Sequence, residues 1–347
     1  MTGERGGSDD PAPSLGKVDA SFFERVIYPH LGTDRADVTV GPQHGVDFGV
    51  LELGDAALVA ATDPLSVLLE LGTERAGRLA LDIVTTDVAV SGVAPSHATV
   101  TLTLPPGMDD GTVADIWRAM ATHAADLGIA VTDAHVGRYP GVTASWVGGA
   151  TVFGVGDPAA VVRPDGATPG DALVVATGPA AEVAGLFSWL FPDELGLSDA
   201  DLAAARDRVD DIAATADAMA AHDTGDVTAM HDATEGGVHG GLVEMADGAG
   251  VRFEVDTDAV PLAPGVEAVC DAVGVDPWRV TSAGTLLLTV APADAEAVVA
   301  ALEARGTPAG VAGTVTEGEG VYVDGERVTK PPMDASWAAM ADLRGED

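Results

Sequence analysis

Residues 230–244 read Met230-His231-Asp232-Ala233-Thr234-Glu235-Gly236-Gly237-Val238-His239-Gly240-Gly241-Leu242-Val243-Glu244. A strand-like start over Ala229 to Asp232 gives way to paired glycines, and Gly240 to Gly248 reads as a helix. A helix that opens this way presents free backbone N–H groups to an anion. Asp232 and Glu235 flank the turn. They fit a capping arrangement or a metal or substrate contact, and spacing leaves both open. The chain has no GxxxxGK[ST] loop and no strand-linked GxGxxG fingerprint.

Three segments upstream share this chemistry. Gly45-Val46-Asp47-Phe48-Gly49-Val50 and Ala61-Thr62-Asp63-Pro64 each put an aspartate at the edge of an apolar strand. In Thr85-Thr86-Asp87-Val88-Ala89-Val90-Ser91-Gly92-Val93-Ala94-Pro95, Asp87 sits late in an apolar helical run, where a carboxylate must be solvated, paired or bound to a ligand. Gly92 allows close backbone approach. Three aspartates converging from separate elements could supply a hard cation such as magnesium with oxygens. Taken singly, each also fits a turn residue.

Between these segments the pattern predicts a short helix with Asp19 or Ser21 near its N-cap and Phe22, Phe23, Val26 and Ile27 on its apolar side, stopped by Pro29 and Gly32. Strands follow over 46–53 and 57–61, a helix over 73–90, a strand over 98–104, a helix over 112–127, and strands over 129–132 and 143–155. This is an α+β domain. Gly, Pro and Asp cluster at 156–169 and mark a boundary. Beyond it lie a strand over 171–177, helices over 180–190 and 199–221, strands over 251–255 and 285–290, a helix over 292–305 and a closing hairpin strand over 313–323. The division is a disordered leader (1–14), an N-terminal domain (15–156), a C-terminal domain (157–335) and an acidic tail (336–347).

The 347 residues carry 55 Asp plus Glu against 17 Lys plus Arg, a formal net charge of -38. Hydrophobic residues make up 47%, so the chain folds, and aromatics are only 4%, so Val, Leu and Ala build the core. The only lysines are Lys17 and Lys330. The acids could form a surface for a basic partner or a solvated surface adapted to high salt; their spread along the chain favours the second. With no basic stripe, nucleic acid is excluded as a partner. The N-terminus has no apolar signal region and no apolar run reaches membrane-spanning length, so the expectation is a soluble, cytoplasmic protein. The single cysteine, Cys270, reads as a small buried hydrophobe in a helix over 266–273.

The 230–244 stretch resembles the C-domain signature of the AIR-synthase (PurM-like) superfamily. Residues 76–105 resemble the matching N-domain stretch, best in its hydrogenase-maturation branch, the HypE-like proteins. The stretch 45–64 is similar to that superfamily's aspartate-bearing strand pair, and 170–175 and 281–287 fall where its second-domain strands do. The resemblance spans about 15 to 330. It implies a two-domain α+β fold: a mixed N-domain sheet with helices that pairs in a homodimer, and a C-domain α/β sandwich. It further implies ATP in a cleft formed with the partner, with Asp47, Asp63 and Asp87 binding Mg2+ and phosphates. Thr62, Asp87 and Gly92 would contact the nucleotide, and Gly16 and Lys17 would belong to the Gly-rich segment that closes over it. His135, Asp232 and Glu235 would be catalytic.

Departures from the pattern shape the functional expectation. Gly137 stands where an acidic residue is common, and Phe48 replaces a small residue beside Asp47. HypE-type chains end in a cysteine that carries a carbamoyl group, whereas this sequence ends Leu343-Arg344-Gly345-Glu346-Asp347. The resemblance then implies a HypE-like, ATP-dependent enzyme activating an unidentified small-molecule or peptide acceptor. A kinase resembling thiamine-monophosphate kinase and a non-catalytic nucleotide-binding maturation or scaffold protein are the alternatives. The other histidines, His30, His44, His97, His123, His222, His231 and His239, are scattered and form no HExxH pair. Trp117, Trp146, Trp189, Trp278 and Trp337 read as core packing.

Overall fold

The computed structural model describes residues 16–18, 20–260, 262–330 and 333–345. The expected leader over 1–14, and Asp19 as an N-cap, lie outside the described residues. α1 (Ala20–Phe22) continues through a wide turn (Phe23–Ile27) and a tight one (Tyr28–His30).

The N-terminal sheet holds β1 (Val38–Val40), β2 (Gly49–Leu53), β3 (Ala56–Ser66), β4 (Pro95–Leu104), β5 (Ala130–Arg138) and β6 (Trp146–Gly156), in the order β1-β2-β3-β6-β4-β5. Only β4 and β5 pair in parallel, across a connection that carries α3 (Asp110–Asp126). α3 is capped by Asp109, whose carboxylate accepts from the Gly111 and Thr112 N–H groups. Together with α2 (Thr73–Ala89) it covers one sheet face, where Val59, Ala61, Leu65, Val100, Leu102 and Val152 alternate inward and are buried. Replacing Leu102 by alanine there costs about 2–5 kcal/mol.

The other face carries Leu58, Ala60, Thr62 and Pro64 of β3, Thr151, Phe153 and Val155 of β6, and Thr99, Thr101 and Thr103 of β4, by the two-residue alternation of strands. No helix of this chain lies over it among the described residues, and Val155 remains 55% exposed. Trp146 is 54% exposed, so it is not a core residue as the sequence suggested.

The second sheet holds β7 (Ala172–Ala176), β8 (Val227–Asp232), β9 (Arg252–Val255), β10 (Leu286–Val290), β11 (Ala309–Thr316), β12 (Gly320–Val323) and β13 (Glu326–Val328), in the order β13-β12-β9-β11-β7-β10-β8. Its helices are α4 (Ala181–Leu190), α5 (Asp199–Arg206), α6 (Thr215–Thr224), α7 (Gly237–Ala249), α8 (Val266–Val273), α9 (Ala295–Ala304) and α10 (Ala335–Arg344). β7 and β10 are buried along their whole length because helices cover both faces. One apolar cluster runs from α2 and the N-terminal sheet into α6, α9 and the near face of the second sheet, joining Val84 and Val88 to Ala218, Met230 and Leu288.

Four sequence expectations are corrected. The helix read over 199–221 is two helices separated by a 3₁₀ turn (Asp207–Ile212), whose Val209 backbone lies against Gly185 of α4; this close contact bends the chain away from one axis. Residues 313–323 form no hairpin, because β9 lies between β11 and β12 and pairs with both. β3 does not stop before Thr62-Asp63-Pro64 but continues to Ser66 along β6. Beyond Ala60 it has no β2 neighbour, so a proline is tolerated. The segment read as an acidic tail contains α10.

Candidate functional site

β8 ends at Asp232, and the chain turns through Gly236 (φ 85°) and Gly237 (φ 63°) into α7. A Cβ on Gly237 would stand 2.5 Å from the Val280 carbonyl oxygen, so only glycine fits this turn. The N-terminus of α7 is the anion-receptive end foreseen in the sequence. In the structure the Gly236 N–H donates instead to the Asp334 carboxylate, at 2.7 Å, just ahead of α10.

Carboxylates from both domains converge beside this turn. Asp47 comes from the loop before β2, Asp63 from β3, Asp87 from α2 and Asp232 from the end of β8. The Asp63 and Asp87 carboxyls lie close enough to act on each other electrostatically. Lys17 Nζ lies 3.3 Å from Asp47 Oδ1 and donates to Thr234 Oγ1 at 3.1 Å. The Lys17 backbone N–H donates to Glu235 Oε2 at 2.7 Å. Gly16 sits so close that a Cβ there would be 2.3 Å from that oxygen. Glu235 therefore anchors the Gly16–Lys17 segment.

The electrostatics follow from burial and crowding. The ammonium of Lys17 is raised well above its ordinary range, mainly by Asp47. Burial alone would raise Asp47, but Lys17 and His231 outweigh it and hold this carboxyl below the usual carboxylate range. Burial pushes Asp63 up to about 6; Asp232 and Asp47 add to the rise and Lys17 opposes it. Asp87 is raised well above its ordinary value by burial and by Asp232, Asp47 and Asp63. Buried carboxyls raised by one another are a receptive set for a cation, and all their donors are oxygens, which suits magnesium.

A second layer lies behind Asp47 and Asp232. His231, 1% exposed, places Nδ1 3.1 Å from Asp47 Oδ2 and 3.8 Å from Asp232 Oδ1, and Nε2 2.9 Å from Glu244 Oε2. Burial would lower the imidazole pKa, but the neighbouring carboxylates of Asp47, Asp232 and Glu244 raise it well above its ordinary value. Burial works against Glu244 too, yet His231 and Lys330 bring it down to about 2. Lys330 pairs directly with Glu244 Oε1.

The structure thus brings together Lys17, Asp47, Asp63, Asp87, Asp232 and Glu235 and leaves other sequence candidates apart. His135 lies on exposed β5, hydrogen-bonded to the Tyr139 hydroxyl at 2.8 Å, and does not reach the cluster of its own chain. Thr62 donates to the Ala150 carbonyl on the uncovered sheet face, the opposite face from Asp63. Gly92 is a close-approach point, as its sequence suggested, but a Cβ there would meet His222 and the Ala160 carbonyl. Phe48 is a core residue, 4% exposed. His231, Glu244 and Lys330 were not foreseen. One signal for them was present: both lysines of the chain end in this cluster.

Family profiles described as AIR synthase related protein match residues 45–155 (N-terminal domain) and 168–326 (C-terminal domain). The carbamoyl dehydratase HypE of Rhizobium leguminosarum bv. viciae is 30% identical over 256 residues, covering 71% of this chain and 70% of that protein. A crystal structure of Escherichia coli HypE superimposes with a TM-score of 0.67 at 27% identity, over 80% of this chain and 88% of that one. Thiamine-monophosphate kinase from Stenotrophomonas maltophilia K279a shares the fold, with a TM-score of 0.66 at 21% identity over 85% of this chain and 93% of that one.

Proposed function

The chain belongs to the AIR synthase related family, among its HypE-like members, and on that footing we propose that it is an ATP-dependent enzyme that activates a separate acceptor. The observation that carries this reading is the convergence of the Asp47, Asp63, Asp87 and Asp232 carboxyls from both domains, where burial and the neighbouring carboxylates raise Asp63 and Asp87 above their ordinary values. Asp47, Asp63 and Asp87 would hold Mg2+. When bound, the ion neutralises phosphate charge and orients the reacting phosphate.

The protein's own groups perform the remaining tasks. Lys17 supplies an ammonium beside Asp47, suited to a phosphate oxygen. Glu235 fixes its backbone, and Thr234 steers its side chain. Asp232 faces the same space from the second domain, where it can accept a proton from an acceptor. Cys270 is buried in the α4–α8 core cluster, and burial pushes its thiol up to about 12, so it does not serve as a carrier. The acceptor in this reading is a small molecule or peptide.

The uncovered face of the N-terminal sheet supports a homodimer, since Leu58, Phe153 and Val155 otherwise meet water. Within such a pair His135 and Thr62 would lie near the partner and not near their own cluster. No described helix is long and apolar enough to cross a membrane.

The test is calorimetric titration of ATP into the purified protein with Mg2+ in high salt, followed by analysis of nucleotide products with and without candidate acceptors. Nucleotide binding that requires Mg2+ is expected. Absence of binding at every salt concentration overturns the reading. A product formed only with thiamine monophosphate would move the assignment to a kinase.

A further inference from the structure

Three buried polar atoms at the interdomain cluster have no hydrogen-bond partner: His231 Nδ1, Asp232 Oδ1 and Asp47 Oδ2. Buried polar atoms are rarely left so, and each unsatisfied one costs about 1–3 kcal/mol. These three face one another. Nδ1 is 3.1 Å from Asp47 Oδ2 and 3.8 Å from Asp232 Oδ1, and one donor atom from each residue falls within a 4.8 Å group. A tetrahedral ion about 2.0–2.2 Å from each donor would set its donors roughly 3.3–3.6 Å apart, between the two measured separations.

The neighbouring atoms are already committed. Asp47 Oδ1 faces Lys17. His231 Nε2 is held by Glu244 Oε2, and Glu244 Oε1 is held by Lys330. A carboxylate on the far ring nitrogen fixes the ring so that Nδ1 points into the gap, which is how metal-binding histidines are oriented.

We propose that His231, Asp47 and Asp232 form a binding site for a first-row divalent ion of the zinc class, with Glu244 and Lys330 as positioning residues. An imidazole nitrogen selects such an ion over magnesium, which takes oxygen donors and keeps its water. The site shares Asp47 with the proposed magnesium set and uses Asp47 Oδ2, the oxygen turned away from Lys17.

The experiment uses the whole chain without nucleotide. Zinc is added by equilibrium dialysis against millimolar Mg2+ and the metal content is measured. Manganese-loaded protein is then read by pulsed electron paramagnetic resonance for a coordinated nitrogen. One zinc per chain that survives excess magnesium is expected, with a nitrogen coupling. His231→Gln and Asp232→Asn should each weaken zinc by at least about tenfold, and Glu244→Gln by about 10–100-fold. The exposed His97→Gln should change nothing.

Equal zinc affinity in the wild type and His231→Gln means surface carboxylates only and overturns the site. So does an equal loss in His97→Gln, or the absence of zinc binding in excess magnesium, which would leave His231 an imidazolium clamp only. Should His231→Gln fail to fold, Asp232→Asn and the wild-type nitrogen coupling decide. Because no nucleotide is present, this result and that of the magnesium–ATP titration fail separately.

Discussion

Lys17 Nζ lies 3.3 Å from Asp47 Oδ1 while the Lys17 backbone is tied to Glu235 of the second domain. One residue therefore clips a segment ahead of the first sheet onto carboxylates from both domains. Its side chain stays 53% exposed, so it is a reachable cation and not a sealed ion pair. Lys17→Ala should leave the melting temperature within a few degrees and weaken Mg2+–ATP binding by about tenfold, or about 1.4 kcal/mol. Unchanged affinity by calorimetry would remove Lys17 from the nucleotide site.

Asp63 gives a pH-dependent prediction with a definite sign. Its folded pKa, about 6, is above the ordinary 3.8, so the folded state binds this proton more tightly than the unfolded one. Its contribution to stability is present below the ordinary value and declines as pH rises through about 6. A cation that replaces the proton should restore it. The rise in melting temperature on adding Mg2+ should thus be larger at pH 7.5 than at pH 5, by roughly a few degrees. Asp63→Asn should flatten this difference without lowering stability in the absence of Mg2+, and should weaken Mg2+–ATP by at least about tenfold. An identical Mg2+ response at both pH values in the wild type would sink the assignment.

Much of this was legible in sequence and part was not, for physical reasons. Helices α2 and α4 and strand β10 were read nearly to the residue because their apolar spacing meets no competing signal. Asp47, Asp63 and Asp87 were each ambiguous among 55 acids, and only their order beside the 230–244 stretch set them apart. Glu244 and Lys330 were hidden because their pairing spans 86 residues and depends on the path of the second sheet. His231 looked scattered because its partner Asp47 belongs to the other domain. Lys330 could have been suspected: in a chain with two lysines and -38 net charge, a retained ammonium marks a place where a compact cation is needed.

The uncovered sheet face predicts oligomeric state. Phe153 sits between Ala60 and His97 in register, on that face. Phe153→Asp should halve the mass seen by light scattering with little change in circular dichroism. A wild type that is already monomeric would end the dimer proposal.

Net charge sets the salt dependence. Electrostatic screening acts over about 10 Å at 0.1 M salt and about 3 Å at 1 M. With 55 acids against 17 basic residues, repulsion at low salt falls on the folded state more than on the expanded one. The melting temperature should climb steadily from low to molar KCl. A profile flat across that range would show that the acids are a docking surface and not a salt adaptation.

The apolar cluster that runs from Val84 and Val88 through Ala218 to Leu288 carries a consequence for how this chain can be divided. A cut anywhere in the linker between the two sheets would leave each half with a raw hydrophobic wound, so neither should fold alone or be exchanged for a homologous half without repair. Heating should give a single calorimetric peak. Substitutions on the two sides of the seam would have to be inherited as matched pairs, which makes the chain one unit of evolution despite its two sheets.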